Sequence, residues 1–253
     1  MPLKQPRQVA LVTGAGSPDG IGFAVAQLLA EAGYCVAISA TSARIHDRLA
    51  ELGPGHAAFT ADLTDSAAAN DLVAKVQDTF GPVTILVNNA GMVQTGRRDR
   101  LSRIEATRDD DWQRQFALNL TTAFNMTRAV LPAMQAAGYG RIVNVASVTG
   151  PLVTIERTAG YSAAKSAMCG LTRTTALENA RHGITCNAVL PGWIATGSSS
   201  PREITAGRRS PAGRPGTPAE VAAACAFLAS PGASYVNGAM LVVDGANALV
   251  EMK

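Results

Sequence analysis

Tyr161 and Lys165 stand four residues apart in the Ala-rich stretch Tyr161-Ser162-Ala163-Ala164-Lys165, with no proline and no internal glycine. On a helix that spacing stacks both side chains on one face. An ammonium beside a phenol favours the phenolate and lowers a pKa that starts near ~10. A phenol tuned in this way can pass a proton near neutral pH. Ser147, fourteen residues upstream, ends the run Arg141-Ile142-Val143-Asn144-Val145-Ala146, which reads as a buried strand. Strand ends in α/β sheets are where ligands meet the fold. The same Tyr–Lys spacing also occurs on exposed helix faces, where the lysine stem merely covers apolar surface, so the rest of the chain decides between the two.

A serine-tipped strand and a Tyr–Lys helix need a frame. Apolar runs of strand length alternate with helical periods, which marks a parallel sheet with helices on both faces. Strands are expected at residues 8–13, 34–39, 57–60, 83–87, 141–147, 184–190 and 240–243. Helices are expected at 23–32, 44–52, about 66–80, from about 110 with Pro132 near the far end, through Tyr161 to about 182 with Gly183 as the stop, and at 218–230. Residues 92–108 are polar, charged and aperiodic, and read as a loop long enough to be functional. Residues 197–216, rich in Ser, Pro, Gly and Arg, read as a mobile flap rather than a linker. No repeat or boundary interrupts the pattern, so residues 1–253 are expected to form one α/β domain, a Rossmann-type doubly wound sheet of about seven parallel strands.

Three loops of that frame could hold a ligand. Thr13-Gly14-Ala15-Gly16-Ser17-Pro18-Asp19-Gly20-Ile21-Gly22 joins the first strand to the first helix. Glycine permits close backbone approach, and a helix N-terminus offers unpaired N–H groups, so together they could cradle a pyrophosphate; a tight turn is the plainer reading. Ser39-Ala40-Thr41-Ser42-Ala43-Arg44 follows the second strand and lacks an acid. An acid there would bind a ribose 2′-hydroxyl, whereas the hydroxyls of Thr41 and Ser42 with the Arg44 guanidinium suit a 2′-phosphate. Alternatively Thr41-Ser42 caps the next helix. Asn88-Asn89-Ala90-Gly91 follows the fourth strand and would let backbone approach a flat ligand, or simply turn the chain.

These pieces, in this order, resemble the short-chain dehydrogenase/reductase family in its single-domain branch. The resemblance spans nearly the whole chain and also rests on Ala61-Asp62-Leu63, Asn119, Pro191-Gly192 and Val243-Asp244-Gly245. It implies an NAD(P)(H)-dependent interconversion of ketone and secondary alcohol, with Tyr161 as acid in reduction and base in oxidation. Lys165 would bind the nicotinamide ribose and depress the Tyr161 pKa, Ser147 would hydrogen-bond the substrate oxygen, and Asn119 would hold a water linking Lys165 to solvent. Asp62 and the Leu63 backbone would meet adenine. Gly14, Ser17, Asp19, Gly20, Ile21 and Gly22 would surround the phosphates, Asn89, Ala90 and Gly91 would lie beside the cofactor, and Pro191, Gly192, Ile194 and Thr196 would meet the nicotinamide amide and phosphates. Two features depart from the family pattern. Five residues separate Gly14 from Gly20 where the family usually has three, so Pro18-Asp19 looks like an insertion. Ser17 stands where many NADP-users carry Arg, whereas Ala40-Thr41-Ser42 looks like bacterial 3-oxoacyl-carrier-protein reductases. NADP(H) is therefore favoured, with NAD(H) possible. Enoyl reductases of the family place six residues between Tyr and Lys; this chain places three, which favours ketone reduction.

Composition narrows the classes further. A net charge of +3 from 22 basic and 19 acidic residues is too balanced for a nucleic-acid binder. Cys35, Cys169, Cys186 and Cys225 are irregularly spaced and read as reduced thiols, and His46, His56 and His182 show no metal-ligand spacing. No signal peptide and no membrane-spanning run is seen, so a cytoplasmic location is expected. Val148, Thr149, Leu152, Val153, Ile155 and Trp193 are candidate pocket-lining positions, mostly apolar, which suits a medium-sized ketone. A basic cluster, Arg97, Arg98, Arg100 and Arg103, could greet an acyl carrier protein, but Asp99 and Glu105 interrupt it and a solvated face is the simpler reading. The resemblance also implies a homotetramer built through the two long helices and the C-terminal strand. The rival reading from another class is a non-catalytic dinucleotide-binding sensor or scaffold, which would have no need of Ser147, Tyr161 and Lys165 together.

Overall fold

The structure, a computed structural model, describes residues 8–91 and 101–250. Seven strands, β1 Val9–Thr13, β2 Cys35–Ala40, β3 Ala57–Thr60, β4 Val83–Asn88, β5 Gly140–Val145, β6 Ile184–Pro191 and β7 Met240–Val243, form one sheet. Every pairing is parallel and the order is β3-β2-β1-β4-β5-β6-β7. The helices are α1 Ile21–Glu31, α2 Ile45–Leu52, α3 Ser66–Phe80, α4 Asp109–Phe116, α5 Thr122–Ala137, α6 Ala159–Asn179, α7 Pro201–Arg208 and α8 Pro218–Ala229.

The strands read as unbroken apolar runs because both of their faces are covered. Along β1, Ala10 and Val12 join a core with Val25 and Leu29 of α1 and Val221 and Leu228 of α8. Val9 and Leu11 point the other way, into a core with Leu72 and Val76 of α3 and Met126, Val130 and Met134 of α5. Each large aliphatic side chain so buried contributes roughly 1.5–3 kcal/mol, enough in sum to set strand register on both faces. The order reverses between β1 and β4, so the loops after these strands diverge and leave a crevice at the carboxyl end of the sheet.

The sequence reading places α3, β3 and β7 with the observed bounds and most other elements within two residues. Two segments differ in kind. The helix expected from about 110 is broken: α4 and α5 are joined by a π-helical turn, Ala117–Thr121. The flap at 197–216 is not structureless but carries α7. Its first turn is closed by a capping box, in which Ser200 Oγ accepts from the Glu203 N–H and the Glu203 carboxylate accepts from the Ser200 N–H. Of the 92–108 loop, residues 92–100 lie outside the described residues and with them Arg97, Arg98 and Arg100; the described part ends in a single 3-10 turn, Ile104–Ala106. All four cysteines are free, and burial pushes Cys186 and Cys225 up to about 12.

Candidate active site

Ser147 lies two residues beyond β5, not inside it, and its hydroxyl accepts from the Thr149 N–H at 3.1 Å. That bond fixes the Oγ on the side of Tyr161, whose phenol the Ser147 side chain pulls toward its ionised form. Tyr161 and Lys165 share one face of α6, as their spacing requires. Lys165 is 4% exposed, and its Nζ donates to Val145 O at 2.9 Å. The ammonium lies 5.8 Å from the Tyr161 ring centroid. Serine, tyrosine and lysine thus meet at the carboxyl end of the sheet, beside β5.

The electrostatics correct one expectation. Lys165 was expected to pull the Tyr161 pKa down. Burial instead holds the phenol above its ordinary 10.0, the neighbouring Ser147 side chain pulls it back, and the Glu203 carboxylate of α7 raises it. Burial also pushes Lys165 down to about 8. Within the chain, both groups are therefore destabilised in their charged forms, because desolvation outweighs their partners.

Asn119 sits in the π turn and is wholly buried. Its Nδ2 donates to the Gln115 main-chain O at 3.1 Å and to Gln115 Oε1 at 3.0 Å, while its Oδ1 has no hydrogen-bond partner among the described residues. A Cβ placed on Gly91 would lie 3.2 Å from Asn119 Oδ1 and 3.5 Å from Lys165 Nζ, so both atoms face the same small space. π turns inside α-helices recur at functional sites because the extra residue swings one side chain out of helical register.

The Gly-rich turn is shaped as much by its own chain as by any ligand. Gly14 has φ +69°, and a Cβ there would stand 2.8 Å from Ala90 Cα; a Cβ on Gly22 would run into Asn89 Nδ2. Asn89 Nδ2 donates to Thr13 O at 3.1 Å and Gly14 O at 3.0 Å, and the Asn89 and Ala90 N–H groups both donate to Thr13 Oγ1 at 3.0 Å. The Asn89 amide therefore pins β4 to the turn rather than pointing free. Gly20 precedes α1 without a side-chain cap, and no acid sits in the first turn, so the positive end of α1 is open to an anion. Ser17 to Gly20 form a tight turn, with the Gly20 N–H donating to Ser17 O at 3.2 Å. The inserted Pro18 and Asp19 are exposed, and Asp19 Oδ2 lies 3.2 Å from where a Gly197 Cβ would stand. The insertion thus reaches from the turn to the root of the flap.

Thr41, Ser42 and Arg44 stand beyond β2. Arg44 is the N-cap of α2 and no side chain caps that helix, so the hydroxyls do not act as caps. Ser42 Oγ accepts from Arg44 Nε at 3.4 Å. Asp62 Oδ1 accepts from the Thr64 N–H at 3.0 Å and from its hydroxyl at 2.7 Å, which leaves the other carboxylate oxygen to a ligand. Leu63 is buried, and its carbonyl accepts from Asn125 Nδ2 at 3.0 Å. Pro191 ends β6, and the Gly192 N–H donates to Val243 O at 3.0 Å. Ile194 bridges Gly216, which closes the flap at its base. The Thr196 hydroxyl bonds with Ser198 at 3.0 Å and Ser199 at 3.1 Å. Among the pocket candidates, Val148 is overturned: it turns into a core with Met168, Cys169 and Leu190 because the chain has already left the sheet. Leu152, 54% exposed, is available to a substrate.

A dinucleotide fits these residues: an uncapped α1 N-terminus, an orphaned buried Asn119 Oδ1, and an ammonium with one protein acceptor for three donors. The profile of the family described as "Enoyl-(Acyl carrier protein) reductase" matches residues 14–246. The 3-oxoacyl-[acyl-carrier-protein] reductase FabG of Vibrio harveyi is 39% identical over 248 residues, covering 94% of this chain and 96% of that protein. Cyclohexanol dehydrogenase of an Acinetobacter species is 40% identical over 247 residues, with 94% of each covered. Among solved structures, a variant of actinorhodin polyketide ketoreductase with NADPH superposes with a TM-score of 0.87 at 36% identity, covering 96% of this chain and 98% of that one. The chain belongs to the short-chain dehydrogenase/reductase family. It is an NAD(P)-dependent oxidoreductase that acts on CH–OH groups and their ketones.

Sequence reasoning missed Gln115 and Glu203. The pattern Ser200-Pro201-Arg202-Glu203 is a legible capping box. Gln115 lies four residues before Asn119, a spacing that puts the two on one helix face.

Proposed function

We propose that this protein reduces a medium-sized, largely apolar ketone, of the 3-oxoacyl or general carbonyl type, with NADP(H) preferred over NAD(H), and that it catalyses the reverse oxidation. The observation that carries the reading is Tyr161 and the buried Lys165 on one face of α6 at the sheet's carboxyl end, with Ser147 close enough to bias the phenol toward its ionised form. Ser147 orients the substrate oxygen and stabilises charge that develops on it. The Tyr161 hydroxyl gives that oxygen a proton in reduction and takes it back in oxidation. Lys165 anchors the ribose, and Asn119 serves its proton exchange with solvent. When bound, the dinucleotide supplies the hydride, and the protein sets distance and orientation.

The remaining assignments rest on placement. Thr41, Ser42 and Arg44 receive a 2′-phosphate, supported by their freedom from helix capping. Gly14, Ser17, Asp19, Gly20, Ile21 and Gly22 surround the pyrophosphate. Asp62 and Leu63 meet adenine, and Asn89, Ala90, Gly91, Pro191, Gly192, Ile194 and Thr196 flank the rest. Residues 1–253 act as one domain, with 197–216 as the substrate flap. The protein works as a homotetramer in the cytoplasm; among the described residues no helix is long and apolar enough to cross a membrane. An acyl carrier protein as substrate carrier draws support from the FabG relatives alone.

Tyr161→Phe should lower ketone reduction by at least 10²-fold, the scale of one general acid, while NADPH still binds. The absorbance of reduced cofactor across a ketone panel measures this. Cofactor that binds but is never oxidised, even by the unaltered protein, would favour the non-catalytic sensor. The ratio of kcat/KM for NADPH over NADH should exceed one and fall about tenfold or more in Arg44→Ala, on the scale of one lost charge-assisted bond.

A further inference from the structure

Gln115 touches both halves of the site. A Cβ on Gly160, the residue before Tyr161, would stand 3.0 Å from Gln115 Cβ, so α4 and α6 cross there with no room between them. One turn on, Gln115 takes both hydrogens of the Asn119 amide, one on its main-chain oxygen at 3.1 Å and one on Oε1 at 3.0 Å. A main-chain carbonyl can only accept, so the group facing it is the NH2 and the Asn119 amide has one possible orientation. An amide nitrogen has two hydrogens, and Gln115 holds both. What remains is Oδ1, buried, without a partner, and facing the space that Lys165 Nζ also faces. Lys165 has three donors and, among the described residues, one hydrogen-bond acceptor, Val145 O.

We propose that Gln115 is a positioning residue for proton exchange at the active site: it locks the Asn119 carboxamide with Oδ1 turned toward Lys165. The proposal rests on the Tyr161–Lys165 reading given above. Without Oε1 the amide keeps only its bond to the main-chain oxygen and can swing about it, so Oδ1 is no longer held toward Lys165. The charged lysine then loses a fixed dipole that favours it.

Gln115→Leu removes the acceptor and keeps the bulk; Gln115→Glu keeps an acceptor at the same place. Gln115→Leu should lower kcat about tenfold, the worth of one hydrogen bond to a charged system. KM for NADPH and the melting temperature should stay near those of the unaltered protein. The alkaline limb of its kcat–pH profile should move to lower pH, since the charged lysine has lost support. Gln115→Glu should restore most of the turnover and the limb. An unchanged kcat and pH profile in Gln115→Leu overturns the proposal. So does a fall in kcat that tracks lost thermal stability and is not relieved in Gln115→Glu, because that marks packing alone. Full turnover by Tyr161→Phe, measured alongside, would remove the proton path itself and the proposal with it.

Discussion

Lys165 sits where a charge is costly. It is almost wholly buried, pairs with no carboxylate, and donates to a backbone carbonyl. Its ordinary pKa of 10.5 falls to about 8 on folding. Between those values Lys165 holds more protons in the unfolded chain than in the folded one, so its contribution to stability rises with pH across that window and is lowest below it. The Tyr161 phenol, raised from 10.0, acts in the opposite sense, but only above pH 10. Because Cys186 and Cys225, raised from 9.0 to about 12, lose stability above pH 9, the lysine shows as a difference: protein stripped of dinucleotide should gain stability relative to Lys165→Met from pH 8 to 10, by at most ~3 kcal/mol. Lys165→Met should be more stable at pH 7 than the unaltered protein and should lack that rise. Urea midpoints across the range measure both, and parallel curves for the two proteins would contradict the burial argument. A buried lysine that weakens the fold 5.8 Å from the Tyr161 ring is what the proposed proton transfer calls for.

At the scale of elements, the site depends on how α4, the π turn and α6 are wedged together. α6 presents Tyr161 and Lys165, while the π turn turns Asn119 inward. Gly160 lets α4 come close enough to join them. Gly160→Ala gains at most ~1 kcal/mol of helix propensity, against ~1–3 kcal/mol for overpacking at a 3.0 Å contact. The net loss of stability should be no more than ~3 kcal/mol, yet kcat should fall severalfold because Gln115 and Asn119 are pushed from Lys165. Calorimetry and steady-state kinetics on the same preparation separate the two effects; unchanged kcat would show that the crossing has slack. The flap follows similar logic: a capping box and a bridge at its base turn a Ser- and Gly-rich stretch into a held helix that brings Glu203 to Tyr161.

For the whole molecule, the outer faces of α5 and α6 carry Phe124 at 43% exposure and Leu177 at 82%. A groove of about 270 Å³ between the helices is lined by Leu120, Thr121, Phe124, Ala167 and Leu171. Near the other end of the sheet, Val242, Leu249 and Val250 are exposed at and beyond edge strand β7. Two separate apolar faces suit two separate subunit contacts, as a tetramer requires. Sizing with light scattering should give four chains, and Phe124→Glu should yield smaller species. A monomer peak for the unaltered chain would refute the assembly.

The alternation of strand and helix, the Gly-rich turn and the Tyr–Lys spacing were legible in the sequence because each is a local pattern: a period, a turn chemistry, a fixed offset on one helix. Which strand lies beside which, and hence that Ser147 meets Tyr161, rests on pairings between distant segments. The π turn was hidden because Ala117 to Thr121 has the composition of ordinary helix. Arg141 reads as part of an apolar strand, yet its guanidinium is buried on the carbonyls of Gly140, Gly183 and Ser230. The direction of the Tyr161 pKa was misjudged for the same reason. Spacing shows that a charge is near, but only the folded structure shows how much water has been removed, and here desolvation is the larger effect.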